Sequence, residues 1–564
     1  MRTIVLTVPI LALLSTCAVA QPPQPGTENL TARVDAVFQA MDSTVSPGCA
    51  LSVMKNGKII YQRGYGMADL DHNVPITPMT VFHVASMSKQ FTAASIFLLA
   101  KQGKVSLDDP VRKYISELPD FGTPVTIREL IHHTSGLRDQ WDLLALWGWR
   151  YSLDLITNDD VMYVVSHQKE LNFPPGTKFL YSNTGYTLLG EVVKRVSGQS
   201  LREFTTANIF EPLGMKNTHF RDDHAEIVKN IAYGYEPAKG TFRLSVTNFD
   251  TVGATSLLTT VEDLALWDEN FYSPRVGGPD LIQQMLERGK LNDGEQLDYA
   301  SGIEHGRYRG LNTVDHSGSD AGYRADMIRF PDQHFSSACV CNVANANPSA
   351  LNRKVADIYL AKDMSPTDTA NAGDEKGIQL TPEQLRLYTG SYLSADDVAT
   401  RILAKDGKLR VTRGNGDDSV ELKALGQNRF RLAVAPVEFT FEAGRPGDAI
   451  KLTVKPEDGK ADEFSAVPPF APSEAELHEY EGTYSSEEID PLYALSVEQG
   501  QLVLRRLKSQ PDKLLPLTRD VFLASRATLR FTRGAKGEIT GFLVTTGRIL
   551  NMRFSRGRPA IAAR

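Results

Sequence analysis

Ser86-Met87-Ser88-Lys89-Gln90-Phe91-Thr92-Ala93-Ala94-Ser95-Ile96-Phe97-Leu98-Leu99 opens with a hydroxyl, carries an amine three residues on, and then stays uncharged as far as Ala100. On a helix, positions i and i+3 share a face about one turn apart, so Lys89 can reach the Ser86 oxygen. Apolar residues cover most of the circumference, which places the helix in a core, with Gly103 as its C-cap. In dry surroundings an ammonium loses solvation, its pKa falls, and it becomes a base near neutrality. The stretch reads as a serine nucleophile activated by lysine rather than by histidine.

The surrounding segments suggest how that helix is housed. Gly48 to Gly66 gives two apolar strands around Asn56-Gly57, the signature of a hairpin. Helical patterns follow, among them Thr184 to Val196 ending at Gly198, and Thr260 to Phe271. Strands return at Thr313–Ser317, Arg324–Phe330 and Ser336–Val343, and a last amphipathic helix fits Leu351–Ala361. Strands at both ends with helices between predict an α/β (α+β) domain over 28–363: one antiparallel sheet assembled from both termini and flanked by helices. A Pro-, Asp- and Gly-rich linker over 364–378 separates it from an internal repeat. Leu385, Tyr388, Gly390 and Tyr392 recur 92 residues later as Leu477, Tyr480, Gly482 and Tyr484. Each copy opens with a capping-box candidate, Thr381–Gln384 and Ser473–Glu476. The expectation is two small antiparallel β-barrel domains, 379–470 and 471–564, with structural or substrate-gating roles.

Hydrophobic residues at 41% and charged residues at 23% describe a globular chain with ample core material. A net charge of −7 without a Lys/Arg cluster argues against a nucleic-acid partner. Arg2, an apolar run to Leu14 and Ala18-Val19-Ala20 have the order of a secretory signal peptide over residues 1–20, cleaved near Ala20. The mature chain is therefore expected to be secreted or periplasmic, with no membrane span. Cys17 falls in that leader, which leaves Cys49, Cys339 and Cys341 in apolar strand-like runs. Buried filler is the expected role for these three, with a disulfide from Cys49 as the alternative. No His-Glu-x-x-His run and no phosphate-cradling loop occur, so neither a metal nor any other cofactor is expected.

Two downstream clusters supply partners for Ser86. Tyr181-Ser182-Asn183 follows the rigid turn Phe173-Pro174-Pro175-Gly176. A tyrosine beside a lysine ammonium has a depressed pKa and can shuttle a proton, and the asparagine can hold the lysine or a substrate carbonyl. His316-Ser317-Gly318 lies on a strand entering Ser319, and a strand glycine permits close backbone approach, as an extended substrate requires. The N–H groups of Ser86 and Ser319 together form a candidate oxyanion hole. A second Ser-x-x-Lys, Ser166–Lys169, lies on a polar stretch and lacks such partners.

The ordered set Ser-x-x-Lys, Tyr-x-Asn, His-x-Gly resembles the serine β-lactamase and penicillin-binding-protein superfamily, in its class C β-lactamase and DD-peptidase branch. The likeness spans roughly Val34 to Lys362 and includes His132-His133-Thr134-Ser135-Gly136-Leu137, Glu211-Pro212-Leu213-Gly214-Met215 and Thr259-Thr260-Val261-Glu262-Asp263-Leu264. The resemblance implies Ser86 as the acylated nucleophile, Lys89 as its base and Tyr181 as proton relay. It implies Asn183, His316 and Gly318 as substrate-binding residues. His316 departs from the lysine usual in β-lactamases of that branch and gives less hold on a carboxylate near neutral pH. That shifts the expectation to a peptidase or amidase of D-aminopeptidase or DD-peptidase type, whose architecture of two trailing β domains this chain resembles. A carboxylesterase or weak β-lactamase of the same fold is one alternative, and a catalytically decayed penicillin-binding sensor is another. The expected partner is a small-molecule or peptide substrate, including those with D-amino acids, and a homodimer is compatible with this reading.

Overall fold

The two-residue turn Asn56-Gly57 has both residues in the left-handed region, at φ 51 and 71°, which matches the twist of a tight hairpin. That hairpin joins β1 (Cys49–Lys55) to β2 (Lys58–Tyr65). Four later strands, β3 (Glu304–Tyr308), β4 (Leu311–Asp320), β5 (Tyr323–Phe330) and β6 (Phe335–Cys341), complete one antiparallel sheet in the order β3-β4-β5-β6-β1-β2. The sheet is thus closed by pairing β1 with β6, as the sequence predicts. The computed structural model describes residues 27–151, 153–366, 380–416, 419–426, 428–433, 437–442, 450–456 and 460–557. The leader read over 1–20 and most of the linker read over 364–378 lie outside the described residues.

Side chains alternate across the sheet with period two, and the two faces bury different helices. Leu51, Val53, Ile328 and Phe335 pack with Val34 and Phe38 of α1 (Thr27–Phe38) and with Leu351 and Val355 of the chain's later helix Pro348–Tyr359. Ala50, Met54, Met327, Ala338 and Val340 face the larger core. That core is built on α2 (Lys89–Lys101), α3 (Gln140–Trp147) and α4 (Asn183–Ser197). Among the described residues no helix is long and apolar enough to cross a membrane.

Two readings are corrected here. The α-helix expected from Ser86 begins only at Lys89, because Ala85–Ser88 forms a tighter 3-10 turn in front of it. Filler roles for Cys49 and Cys341 are also overturned: the β1–β6 register sets them directly opposite one another, and they form a disulfide. Cys339 remains a buried thiol.

The repeat resolves into two β bodies. Residues 390–467 form a closed eight-stranded barrel. Residues 482–556 form a nine-stranded sheet whose edge strands, Asp512–Lys513 and Leu515–Thr518, are separated only by Leu514, so the sheet curls round on itself. Both predicted capping boxes are present. Tyr392 and Tyr484 each donate a hydrogen bond to the carbonyl of the tyrosine four residues earlier, at 2.8 Å in both copies. The second β body packs on the helical side of the larger core, where the Tyr493 hydroxyl donates to the Leu146 carbonyl at 2.6 Å. The first barrel packs on the second through Ala399 against Leu517, Val521 and Leu523.

Candidate active site

Ala85 has φ 48°, a left-handed conformation that a non-glycine residue adopts only when its surroundings hold it there. The turn it starts lifts Ser86 towards a cleft of about 1290 Å³ between the sheet-and-helix domain and the β bodies. Tyr181, Asn183, His316 and Ser319 line the same cleft, so the structure brings the predicted residues together. Lys89 lies beneath them, fully buried.

The Lys89 Nζ atom is 3.0 Å from Ser86 Oγ, 2.9 Å from Asn183 Oδ1 and 2.8 Å from the Ala254 carbonyl oxygen. A neutral amine has two N–H groups and one lone pair. The two carbonyl-type oxygens can only accept, and they claim both N–H groups. The lone pair is left facing Ser86, whose O–H can donate to it. Burial pulls the Lys89 pKa well below 10.5, and Arg548 adds to the shift while Asp139 and Asp320 oppose it. Burial thus favours the uncharged amine, and the three contacts accommodate it as a base towards Ser86.

Asn183 is itself held: its N–H and its side-chain amide donate to Asp139 at 2.7 and 2.8 Å. Asp139 is fully buried and also caps α3 through the Trp141 N–H. It is a site residue that sequence reading missed. The only local signal was a polar pair, Arg138-Asp139, directly after Thr134-Ser135-Gly136-Leu137.

Tyr181 packs 4.9 Å, ring centroid to Nζ, from Lys89. The expected depressed phenol is not found. Burial raises the Tyr181 pKa, and hydrogen bonding to Ser86 and the charge of Arg548 only partly offset this. The charge of Arg548 does not reverse the sign, so Tyr181 keeps its proton.

His316 is also neutral, its pKa pushed down to about 3 by burial and by Lys89. Its Nδ1 lies 2.7 Å from the Ser317 carbonyl, which accepts only, so Nδ1 carries the hydrogen and Nε2 accepts from the Tyr299 hydroxyl at 3.3 Å. Both ring nitrogens are therefore engaged. What this segment offers a ligand is backbone. β3 pairs only with Leu311–Asp315, so the His316–Asp320 half of β4 has an open edge. Ala321-Gly322 make a two-residue turn, and antiparallel alternation from the Asp320/Tyr323 pair leaves Ser317 and Ser319 in wide pairs. Their N–H groups point away from β5, to the open edge. The Ser86 N–H makes no hydrogen bond to the described residues.

Gly318 also has a packing reason. A Cβ there would lie 2.2 Å from the Val84 carbonyl oxygen. The turn that carries Ser86 is thereby locked closely under β4.

The second β body closes the far wall. Its turn Thr546–Ile549 is tied down by Asp142, which accepts from the Thr546 hydroxyl and from the Arg548 N–H, the latter at 3.1 Å. Arg548 lies over the Tyr181 ring, 5.0 Å from its centroid. Nothing in the local sequence around Arg548 marks it, because its meaning depends on how two distant bodies dock.

Comparison with known proteins agrees with this geometry. The family model described as Beta-lactamase matches residues 34–362, more than half of the chain. Penicillin-binding protein 4* of Bacillus subtilis is 28% identical over 457 residues, covering 77% of this chain and 98% of that protein. A D-aminopeptidase of Brucella melitensis is 25% identical over 519 residues, covering 88% of this chain and 93% of that protein. In fold, the octameric penicillin-binding protein homologue from Pyrococcus abyssi superposes with a TM-score of 0.55 at 23% identity, over 78% of this chain and 100% of that one. Since the matched segment carries Ser86, Lys89, Tyr181, Asn183 and His316, the chain belongs to the beta-lactamase family and is one of its serine hydrolases.

Proposed function

We propose that the chain is an exported peptidase or amidase of D-aminopeptidase or DD-peptidase type, acting through an acyl-enzyme on Ser86. The division into a hydrolase domain over 28–363 and β domains over 379–470 and 471–564 is part of the same proposal. The observation that carries it is the buried Lys89 amine, whose lone pair is left to Ser86 by Asn183 and Ala254. As Ser86 Oγ attacks the scissile carbonyl, its proton passes to Lys89. The new ammonium is steadied by Asp139 and Asp320, whose charges favour it. Tyr181, still protonated, hands its hydrogen to the departing nitrogen and is refilled from Lys89. The Ser86 and Ser319 N–H groups receive the oxyanion, and water then releases the acyl group through the same relay. The Cys49–Cys341 disulfide supports export to an oxidising compartment.

Intact-mass analysis after treatment with a fluorophosphonate or a penicillin tests the reading. One adduct is expected on the wild type and none on Ser86→Ala; an equal adduct on both would end the proposal. The neutral His316 favours a second reading, a carboxylesterase, because no strand cation is present to hold a substrate carboxylate. Parallel rates with D-Ala-p-nitroanilide, p-nitrophenyl butyrate and nitrocefin separate the two, and a strong preference for the butyrate ester would displace the peptidase.

A further inference from the structure

Arg548 combines a fixed backbone with an unspent side chain. Its N–H donates to Asp142 at 3.1 Å, its carbonyl accepts from Asn172 at 3.0 Å, and the neighbouring Leu550 N–H donates to Asn172 at 2.8 Å. Its guanidinium makes no hydrogen bond to the described residues. The nearest acid is Asp139 at 3.6 Å, and that carboxylate is already held by Asn183 and Trp141. The side chain is 40% exposed and lines the cleft. A guanidinium has five donors in a planar fork suited to a carboxylate, and here the fork is held by an ion pair with Asp139 at 3.6 Å while making no hydrogen bond to the described residues.

We infer that Arg548, supplied by the second β body, is the residue that binds the carboxylate of the substrate's leaving group. This rests on the peptidase reading above. In that reading Tyr181 protonates the departing nitrogen, so a cation lying over the Tyr181 ring stands on the leaving-group side of Ser86. In an aminoacyl leaving group the α-carboxylate is two bonds from that nitrogen, within reach of the same fork. The position in β4 that would otherwise supply a cation holds His316, which is neutral with both ring nitrogens engaged. The β-body wall also carries Arg413, Arg506 and Arg526, with Arg506 paired to Asp512 at 3.8 Å. The facing wall holds Asp142, Glu304, Asp315 and Asp320, so the selection of an anion rests on the guanidinium beside Tyr181 and not on the field of the whole cleft. The substrate class that follows is a short peptide with a free carboxyl terminus.

The test compares D-Ala-D-Ala with its C-terminal amide in the wild type, Arg548→Gln and Arg548→Lys. The readout is the ratio of kcat/KM for free acid over amide, which cancels any general loss of folding or activity. Arg548→Gln is expected to lower that ratio about 10–100-fold, as removal of a charge-assisted contact does, with Arg548→Lys falling between. An unchanged ratio in Arg548→Gln, or a wild type that favours the amide, overturns the assignment. Fluorophosphonate labelling of Ser86 in the same samples separates the two levels: labelling without acid preference sinks the arginine alone, whereas no labelling of wild type sinks the peptidase reading with it.

Discussion

At the residue scale, Lys89 shows how burial biases a protonation state. Two acceptor-only oxygens and the Ser86 hydroxyl surround the amine, and burial removes the water that would stabilise its charged form. The same fact has a thermodynamic signature. In the unfolded chain the amine binds its proton up to about pH 10.4, whereas in the folded chain the affinity is well below that. The unfolded state therefore binds more protons between the two values, and folding stability rises with pH across that window. Lys89→Met lacks the titration. The stability of wild type relative to Lys89→Met should climb as the pH rises towards about 10, by at most about 1.4 kcal/mol per pH unit. Urea melts at several pH values measure the difference, and a flat line would mean that the amine is charged when folded. Ser86, Lys89 and Asn183 were legible in the sequence because their spacing and order carry the chemistry. The neutral state of Tyr181 was not, because it depends on how deeply the phenol is buried, which no local motif reports.

At the scale of elements, the site is a meeting of one turn and one strand. Ala85–Ser88 presents Ser86, and β4 presents the open-edge N–H of Ser319. Gly318 sets the distance between them, since its missing Cβ is the space occupied by the Val84 carbonyl. The hairpins, the helices and the sheet order from both termini were legible from hydrophobic period and turn residues. The 3-10 turn was not, because Ala85 at φ 48° is imposed by tertiary contact and contradicts its own propensity. Gly318→Ala places an atom 2.2 Å from that carbonyl oxygen, so the strand or the turn must move. Overpacking of this kind costs about 1–3 kcal/mol. A displaced nucleophile is expected to lower acylation roughly 100-fold. Fluorophosphonate acylation rates and thermal melts of Gly318→Ala check both parts. Acylation at the wild-type rate would show that the strand does not set the position of Ser86.

At the scale of the whole molecule, the repeat announced two β bodies but not where they would dock. The docking is fixed in part by a buried ion pair between Arg138 and Glu488, whose side chains are 1% and 4% exposed. Arg138 precedes Asp139, and the Arg138 carbonyl accepts from Thr184 at 2.7 Å, so the pair anchors the segment that orients Asn183 and, through it, Lys89. Glu488 also accepts from the Lys169 N–H at 3.0 Å, which ties a second loop to the same charge. Neither partner stands out in sequence, because each is an ordinary charge until the two are buried together. A buried pair is weak evidence of net stability against an apolar replacement, but removing one partner leaves the other desolvated and uncompensated. Glu488→Gln keeps the shape and deletes the charge, so it should destabilise the folded chain by about 3 kcal/mol. Arg138→Met combined with Glu488→Leu removes both charges and should recover most of that loss. Denaturant unfolding of the three proteins decides the point. If Glu488→Gln stays within about 0.5 kcal/mol of wild type, the β body is held by its apolar contacts and its other hydrogen bonds, such as those of Tyr493 to Leu146 and of Thr546 to Asp142, and the charge pair does not link docking to the position of Lys89.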